Sequence, residues 1–247
     1  MSALILALAA GAVIGLALGA LGGGGSVLAV PALIYLLGFT PVAATTASLV
    51  IVTVTSATAL SAHARDGNVR WRTGLLFAAA GVGPAILGGV VAGRLSEAAL
   101  TCAFAAVAAL AAMRMLRPGR PAVSGHVRPV RAAGAGAGLG GVTGVLGVGG
   151  GFLAVPALVG VLGLRMREAV GTSLLVISVN SLAALATRAG TADGLDWAVI
   201  APFAGAAVLG AWDGKRLASK VSGGTLQRIF ALVLLAVAAF MLIDVVV

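Results

Sequence analysis

The chain has 247 residues, of which 60% are hydrophobic and only 9% are charged. Soluble domains carry about 25% charged residues, so this composition excludes a soluble globular protein and predicts one that is embedded in lipid. The net charge of +9 does not indicate nucleic-acid binding, because the basic residues stand in short gaps between apolar runs and the aromatic residues that would stack on bases make up only 4% of the chain.

Five apolar segments precede a basic stretch in the middle of the chain. They cover about residues 2–21, 26–38, 42–63, 73–93 and 96–116. We expect 2–21 to be a mature helix and not a secretory signal, because it lacks a positive n-region and a matching segment recurs in mid-chain. A helix needs about 20 residues to cross a bilayer, so 26–38 is too short to cross alone.

The basic stretch 117–131 is rich in Pro, Gly and Arg and predicts a linker. Five more apolar segments follow it, at about 132–148, 152–163, 167–188, 197–212 and 224–243. The second of these is short again, and Gly163 follows it as Gly38 follows its counterpart. Each short segment predicts a half-helix or a re-entrant element. The chain thus divides into a first transmembrane repeat (1–116), the linker (117–131) and a second transmembrane repeat (132–247).

The two halves repeat one sequence pattern. An offset of 125 positions places Leu21 on Leu146 and aligns residues 21–33 with 146–158, including the shared run Leu-Ala-Val-Pro-Ala-Leu. With a small shift, Trp71 falls on Trp197. Chance matching of Ala, Gly and Leu does not explain the ordered glycines and the Val-Pro pair. We therefore predict an all-α integral membrane protein built from two repeats of about five apolar segments each.

Loop charges predict the orientation of the repeats. If the basic linker is cytoplasmic, as the positive-inside rule requires, then Arg65, Arg70 and Arg72 and the basic group Lys215–Lys220 also fall inside. This holds only if each half crosses the membrane an odd number of times, which inverts the second repeat relative to the first. We expect an inverted repeat in the plasma membrane with both termini outside.

The glycine runs between the first and second segments of each half are the leading candidates for a binding site. In transporters with inverted repeats, the starts of half-helices point at anionic substrates near the midplane, where free N–H groups and the helix dipole attract negative charge. The predicted cradle residues are Gly23, Gly24, Gly25 and Ser26 in the first half and Gly149, Gly150 and Gly151 in the second. The alternative is that these glycines only allow helices to pack closely.

Hydroxyl and amide side chains are the next candidates. Thr45 and Ser48 begin the third segment of the first half, and Thr172 and Ser173 occupy the matching place in the second. They could donate to substrate oxygens, or could instead bond back to carbonyl groups of their own helix. Asn180, which aligns with Thr55, is either a substrate ligand or a clasp between helices.

The chain offers no constellation for catalysis, and we expect it not to be an enzyme. It has one cysteine, Cys102, no cluster of Cys and His with metal-ligand spacing and no Ser/His/Asp set. The ionisable residues His63, Glu168 and Asp213 lie at the ends of segments. No cofactor is expected, and a nucleotide-binding loop is missing.

The pattern Gly147-Val148-Gly149-Gly150-Gly151-Phe152, then Leu-Ala-Val-Pro-Ala-Leu, then Ala169-Val170-Gly171-Thr172-Ser173 resembles the sulfite exporter TauE/SafE family of membrane permeases. The first half carries the same pattern less completely, since Thr46-Ala47 replaces Gly-Thr. The resemblance covers nearly the whole chain. It implies a plasma-membrane permease for sulfite, organosulfonates or related sulfur-containing anions.

Two functions remain open from the sequence. The first is a secondary transporter whose partners are a small anion and the lipid bilayer, with a homo-oligomer left open. The second is a non-transporting membrane subunit that anchors a partner complex through the linker 117–131.

Overall fold

The computed structural model describes residues 2–92, 97–116, 128–146, 151–187 and 196–246, and all regular structure within them is helical. The helices are α1 Ser2–Leu21, α2 Gly24–Pro31, α3 Pro41–Arg65, α4 Trp71–Ala92, α5 Glu97–Leu116, α6 Pro129–Leu146, α7 Gly151–Gly160, α8 Met166–Thr187, α9 Trp197–Lys220 and α10 Gly223–Val246. The predicted all-α membrane fold is confirmed. Within the described ranges, six helices are long and apolar enough to cross a bilayer: α1, α3, α5, α8, α9 and α10.

Two helices extend beyond the apolar segments that predicted them. Helix α9 does not end near 212 but continues to Lys220, so the basic group Lys215–Lys220 is helical and not a loop. Lys215 is accommodated there because its ammonium group donates to Ala62 O at 2.8 Å. Helix α6 begins at Pro129, so the last three residues of the predicted linker 117–131 are helical, as expected for a proline at the first helical position. Residues 117–127 lie outside the described ranges.

The short second segment of each half is a separate short helix. Helix α2 spans only Gly24–Pro31 and passes into a π-helical turn at Ala32–Leu36. Pro31 stands at the change, since proline lacks the N–H group that would continue the α-helical bonding pattern. Helix α7 spans Gly151–Gly160. Glycines with a φ of 70° follow both elements, Gly38 and Gly163, and end them in the left-handed conformation that favours glycine.

Contacts near the helix ends fix the direction of each helix. The ends of α1, α3 and α9 lie together, since His63 contacts Gly19 O and Lys215 pairs with Asp66. Helix α8 begins at the same end, where Glu168 pairs with Arg70 of the α3–α4 loop. We call this end of the bundle the linker face. Helix α5 ends there, since Met115 O accepts a hydrogen bond from Gln227 near the start of α10, and α6 begins there, since it packs parallel to α4. Helices α1, α3, α5 and α9 run towards it, and α4, α6, α8 and α10 run away from it.

The helices pack across the halves in matching pairs. Helix α1 packs on α9 and α6 packs on α4, so that the first helix of each half lies against the fourth helix of the other. The third helices, α3 and α8, pack together, as do the fifth helices, α5 and α10. The inverted repeat itself stays a prediction, and a two-fold relation between the halves would produce this set of pairs.

Candidate functional site

The two glycine runs approach each other inside the bundle. Helix α1 ends at Leu21, and Gly22 adopts a φ of 70° while its N–H donates to Leu18 O at 2.8 Å. The next residue, Gly23, lies directly against Gly151, the first residue of α7: a Cβ atom at Gly23 would overlap the carbonyl oxygen of Gly151 and come within 2.7 Å of the Cα of Phe152. The starts of the two short helices therefore meet through their backbones.

This contact is close packing in the present conformation, because backbone atoms fill the space between Gly23 and Gly151. Gly24, Gly25 and Ser26 form the first turn of α2. Gly149 and Gly150 were predicted as part of the second cradle and lie outside the described residues. The structure thus brings together one glycine from each predicted cradle.

The predicted hydroxyl groups have local partners. Ser48 donates to Thr45 O and Ser173 donates to Val170 O, each at 2.8 Å and each to the carbonyl three residues back in its own helix. The two serines occupy equivalent positions and make equivalent bonds. Thr172 accepts a hydrogen bond from the backbone N–H of Arg70 at 3.1 Å and so ties the α3–α4 loop to α8. Ser173 also borders the glycine turn, since a Cβ atom at Gly22 would overlap its Oγ.

Farther along both helices than Ser48 and Ser173, a seam of hydroxyl groups joins α3 to α8. The Oγ1 of Thr53 lies 2.9 Å from the Oγ of Ser181, and the Oγ of Ser56 lies 2.8 Å from that of Ser178. This seam was not predicted from the sequence, although the same offset of 125 positions places Thr53 on Ser178 and Ser56 on Ser181. Matching hydroxyl residues in the middle of both third segments were the signal that could have found it.

Two polar atoms near the seam lack a hydrogen-bond partner among the described residues. They are the Oγ1 of Thr55, whose side chain is buried, and the Oδ1 of Asn180. The two residues are equivalent under the offset. An unpaired buried polar group costs about 1–3 kcal/mol, so such a group at equivalent places in both halves favours a ligand that completes the bonding.

Of the ionisable residues singled out from the sequence, Glu168 and His63 lie near helix ends, whereas Asp213 lies inside α9, which continues to Lys220. Glu168 pairs with Arg70 at 2.8 Å, and Asp213 pairs with Arg216 at 3.6 Å on an exposed face. His63 is buried at the linker face. No group of three or more His, Cys, Asp or Glu residues that could hold a metal ion occurs in the part of the chain that the structure describes.

Comparisons with known proteins identify a family and relatives that this chain resembles. The family model described as "Sulfite exporter TauE/SafE" matches residues 7–241. Two relatives, from the Xylella fastidiosa strains 9a5c and Temecula1, are each 34% identical over 249 residues, an alignment that covers 97% of this chain and 95% of each relative. Both are named "Probable membrane transporter protein".

Proposed function

This chain belongs to the sulfite exporter TauE/SafE family, and from that premise we propose that it is a secondary transporter for a small sulfur-containing anion such as sulfite or an organosulfonate. Membership in the family and the names of the relatives make it a multi-pass membrane transporter. The substrate class and the site are our proposal. They rest on the chemistry of the groups at the centre of the bundle.

The observation that carries the proposal is the meeting of the two short helices at Gly23 and Gly151. Both helices begin inside the bundle, and the first N–H groups of a helix have no carbonyl partner within it. In a lipid environment such donors are costly unless an acceptor is provided. An oxyanion supplies several acceptor oxygens at once, and the positive end of the helix dipole favours its charge.

Two side chains on α3 and α8 suit an oxyanion in the same way. Thr55 and Asn180 are neutral groups that can donate hydrogen bonds without adding charge, whereas the hydroxyl groups of Ser48 and Ser173 already donate to carbonyl groups of their own helices. The amide of Asn180 can present its NH₂ group to a ligand, since the two ends of the amide exchange by rotation. A site made of backbone and neutral donors recognises a small anion and can release it again, because no ion pair has to be broken.

Transport would require the contact between the two glycines to open. Gly23 precedes α2 and Gly151 begins α7, so a shift of one short helix relative to the other would separate the two helix starts and uncover their N–H groups. Movement of elements around a fixed central site is the usual basis of alternating access.

The test is counterflow of radiolabelled sulfite into proteoliposomes that hold the purified protein, with taurine, sulfoacetate, thiosulfate and sulfate as competitors. We expect saturable uptake that some competitors reduce and others do not. Asn180→Leu keeps the approximate shape of the side chain but removes its polar atoms. It should weaken substrate affinity about tenfold to a hundredfold, the equivalent of one hydrogen bond to a charged group.

Thr58→Val is the matched control, because the hydroxyl group of Thr58 bonds only to Val54 O of its own helix and the substitution leaves the central residues untouched. It should transport at the wild-type rate. Unchanged affinity in Asn180→Leu would remove that residue from the site, and no saturable uptake of any of these anions by folded wild-type protein would contradict the proposed substrate class.

A further inference from the structure

A pocket of about 40 Å³ lies at the linker face, between helices of both halves. Its polar lining comes from α3 and the loop after it, from α8 and from α9: His63, Asp66, Asn68, Arg167, Lys215 and Ser219. One water needs about 10–15 Å³ of such space. The pocket therefore has room for a few waters or for one oxyanion of about four heavy atoms.

The charges around the pocket are unequal. The Nζ of Lys215 lies 2.8 Å from the Oδ2 of Asp66, so these two charges compensate each other. Arg167 donates to the backbone oxygens of Ser219 at 2.9 Å and Val221 at 3.1 Å, which fixes the guanidinium group without neutralising it. Among the residues that line the pocket, two cations therefore face one carboxylate, and the remaining positive charge favours an anionic occupant.

His63 adds a second feature that calls for a ligand. The residue is only 5% exposed, and its Nε2 lies 3.1 Å from Gly19 O. Because a carbonyl oxygen can only accept, Nε2 carries the hydrogen of the neutral ring and Nδ1 is left as an acceptor. That Nδ1 is buried and has no hydrogen-bond partner among the described residues. His63 also lines the pocket, so a hydrogen-bond donor that binds there and reaches Nδ1 would satisfy this atom.

The pocket lies next to the glycine turn at Gly22. Ala20 and Val170 form part of its wall. Ala20 stands two residues before Gly22, and Val170 O accepts the hydrogen bond from Ser173, which borders the turn at Gly22. An anion that leaves the predicted central site towards the linker face would therefore meet this pocket next.

We propose that this linker-face pocket is a second anion site, which holds a small hydrogen oxyanion with one negative charge between Lys215 and Arg167. The charge of such an anion matches the uncompensated cation, and its single O–H group matches the acceptor that His63 provides. The inference rests on the proposed function for the identity of the anion. Asp66 competes with the anion for Lys215, so the ion pair of the empty pocket exchanges for an ion pair with the substrate.

Because Asp66 and the anion compete for Lys215, substitutions of Lys215 and of Asp66 should change the affinity for the anion in opposite directions. Equilibrium binding of radiolabelled sulfite is measured on the full-length protein in detergent. Lys215→Gln should weaken binding about tenfold, because one charge-assisted contact is lost. Asp66→Asn should tighten binding several-fold, because Lys215 no longer has a competing carboxylate. Lys220→Gln, an exposed charge farther along α9, is the control and should bind like the wild type.

A purely structural ion pair would give a different result. If Lys215 and Asp66 only hold α9 against α3, both variants lose thermal stability, and their dissociation constants for sulfite stay equal or shift in the same direction. This result would overturn the proposed anion site in the pocket. Counterflow by the wild-type protein would still support the proposed function. Opposite shifts in a protein without counterflow support the pocket and overturn the function. No binding of sulfite, sulfate or thiosulfate to the wild type overturns both.

Discussion

At the scale of single residues, the position of each glycine on its helix decides whether a side chain can be added. Gly136, Gly140 and Gly144 of α6 lie on one stripe, and a Cβ atom on any of them would overlap backbone atoms of α4. The alternate residues Gly134 and Gly138 have no atom of another helix within 4 Å of such a Cβ. Small residues at this spacing let membrane helices approach backbone to backbone.

A single methyl group should therefore have opposite effects at neighbouring positions. Gly140→Ala places a Cβ atom against the carbonyl oxygen of Gly81 and should lower stability by about 1–3 kcal/mol, the usual cost of overpacking. Gly138→Ala meets open space and should leave stability unchanged or raise it slightly, since alanine favours the helix more than glycine. The melting temperature of each purified variant in detergent is the measurement. Equal melting temperatures would contradict the close approach of α6 to α4.

The same stripe occurs in the first half and follows from the repeat. Gly11, Gly15 and Gly19 of α1 lie against backbone atoms of α9, and the offset of 125 positions carries them onto Gly136, Gly140 and Gly144. Their spacing of four residues was visible in the sequence. Which helix they would meet was not, because that depends on how the two halves cross in space.

At the scale of whole elements, the apolar segments predicted the helices well, since a run of apolar residues of bilayer length has few alternatives to a helix in lipid. The end of α9 was missed for a definite reason. Lys215, Arg216 and Lys220 have the composition of a loop, and only the packing of α9 on α3 shows that Asp66 and Ala62 O accept the ammonium group of Lys215.

The candidate site was harder to predict than the helices. The glycine runs were identified as a pair, and the contact of Gly23 with Gly151 agrees with that pairing. The local bonds of Ser48 and Ser173 could not be derived from the sequence, because a hydroxyl group that bonds to its own helix and one that faces a ligand look alike there. The hydrogen bonds between hydroxyl groups of α3 and α8 could not be predicted either, because they depend on how the two helices pack in the folded protein.

The hydroxyl seam between α3 and α8 should couple the two halves energetically. In a double-mutant cycle, Ser56→Ala and Ser178→Ala remove the two hydroxyl groups that lie 2.8 Å apart. We expect a coupling energy of about 0.6 kcal/mol, the average for such bonds in membrane proteins. Ser61→Ala with Ser178→Ala is the control cycle, since Ser61 bonds to Thr58 O of its own helix, and it should give no coupling. Equal coupling in both cycles would mean that the seam bond does not form.

At the scale of the whole molecule, the directions of the helices link the repeat to the orientation in the membrane. Helix α1 starts and α10 ends at the face opposite the linker face, so Ser2 and Val246 lie on one side of the bundle, whereas the end of α5 at Leu116 and the start of α6 at Pro129 lie on the other. The packing directions fit this arrangement. In an inverted pair of halves, the first helix of one half runs in the same direction as the fourth helix of the other half. Helices α1 and α9 accordingly pack in parallel, and so do α4 and α6.

Cysteine labelling tests this arrangement together with the predicted orientation. Cys102 is the only cysteine, so Cys102→Ala gives a background without reactive thiols. Lys220→Cys and Arg128→Cys, both exposed near the linker face, should react with a membrane-impermeant maleimide only after cells are permeabilised, because the positive-inside rule places this basic face in the cytoplasm. Thr40→Cys, exposed at the opposite face, should react in intact cells. Labelling of all three variants in the reverse pattern would mean that the protein has the opposite orientation with the same fold. Labelling of Lys220→Cys and Thr40→Cys from the same side would contradict the helix directions, and with them the inverted repeat on which the proposed transport cycle depends.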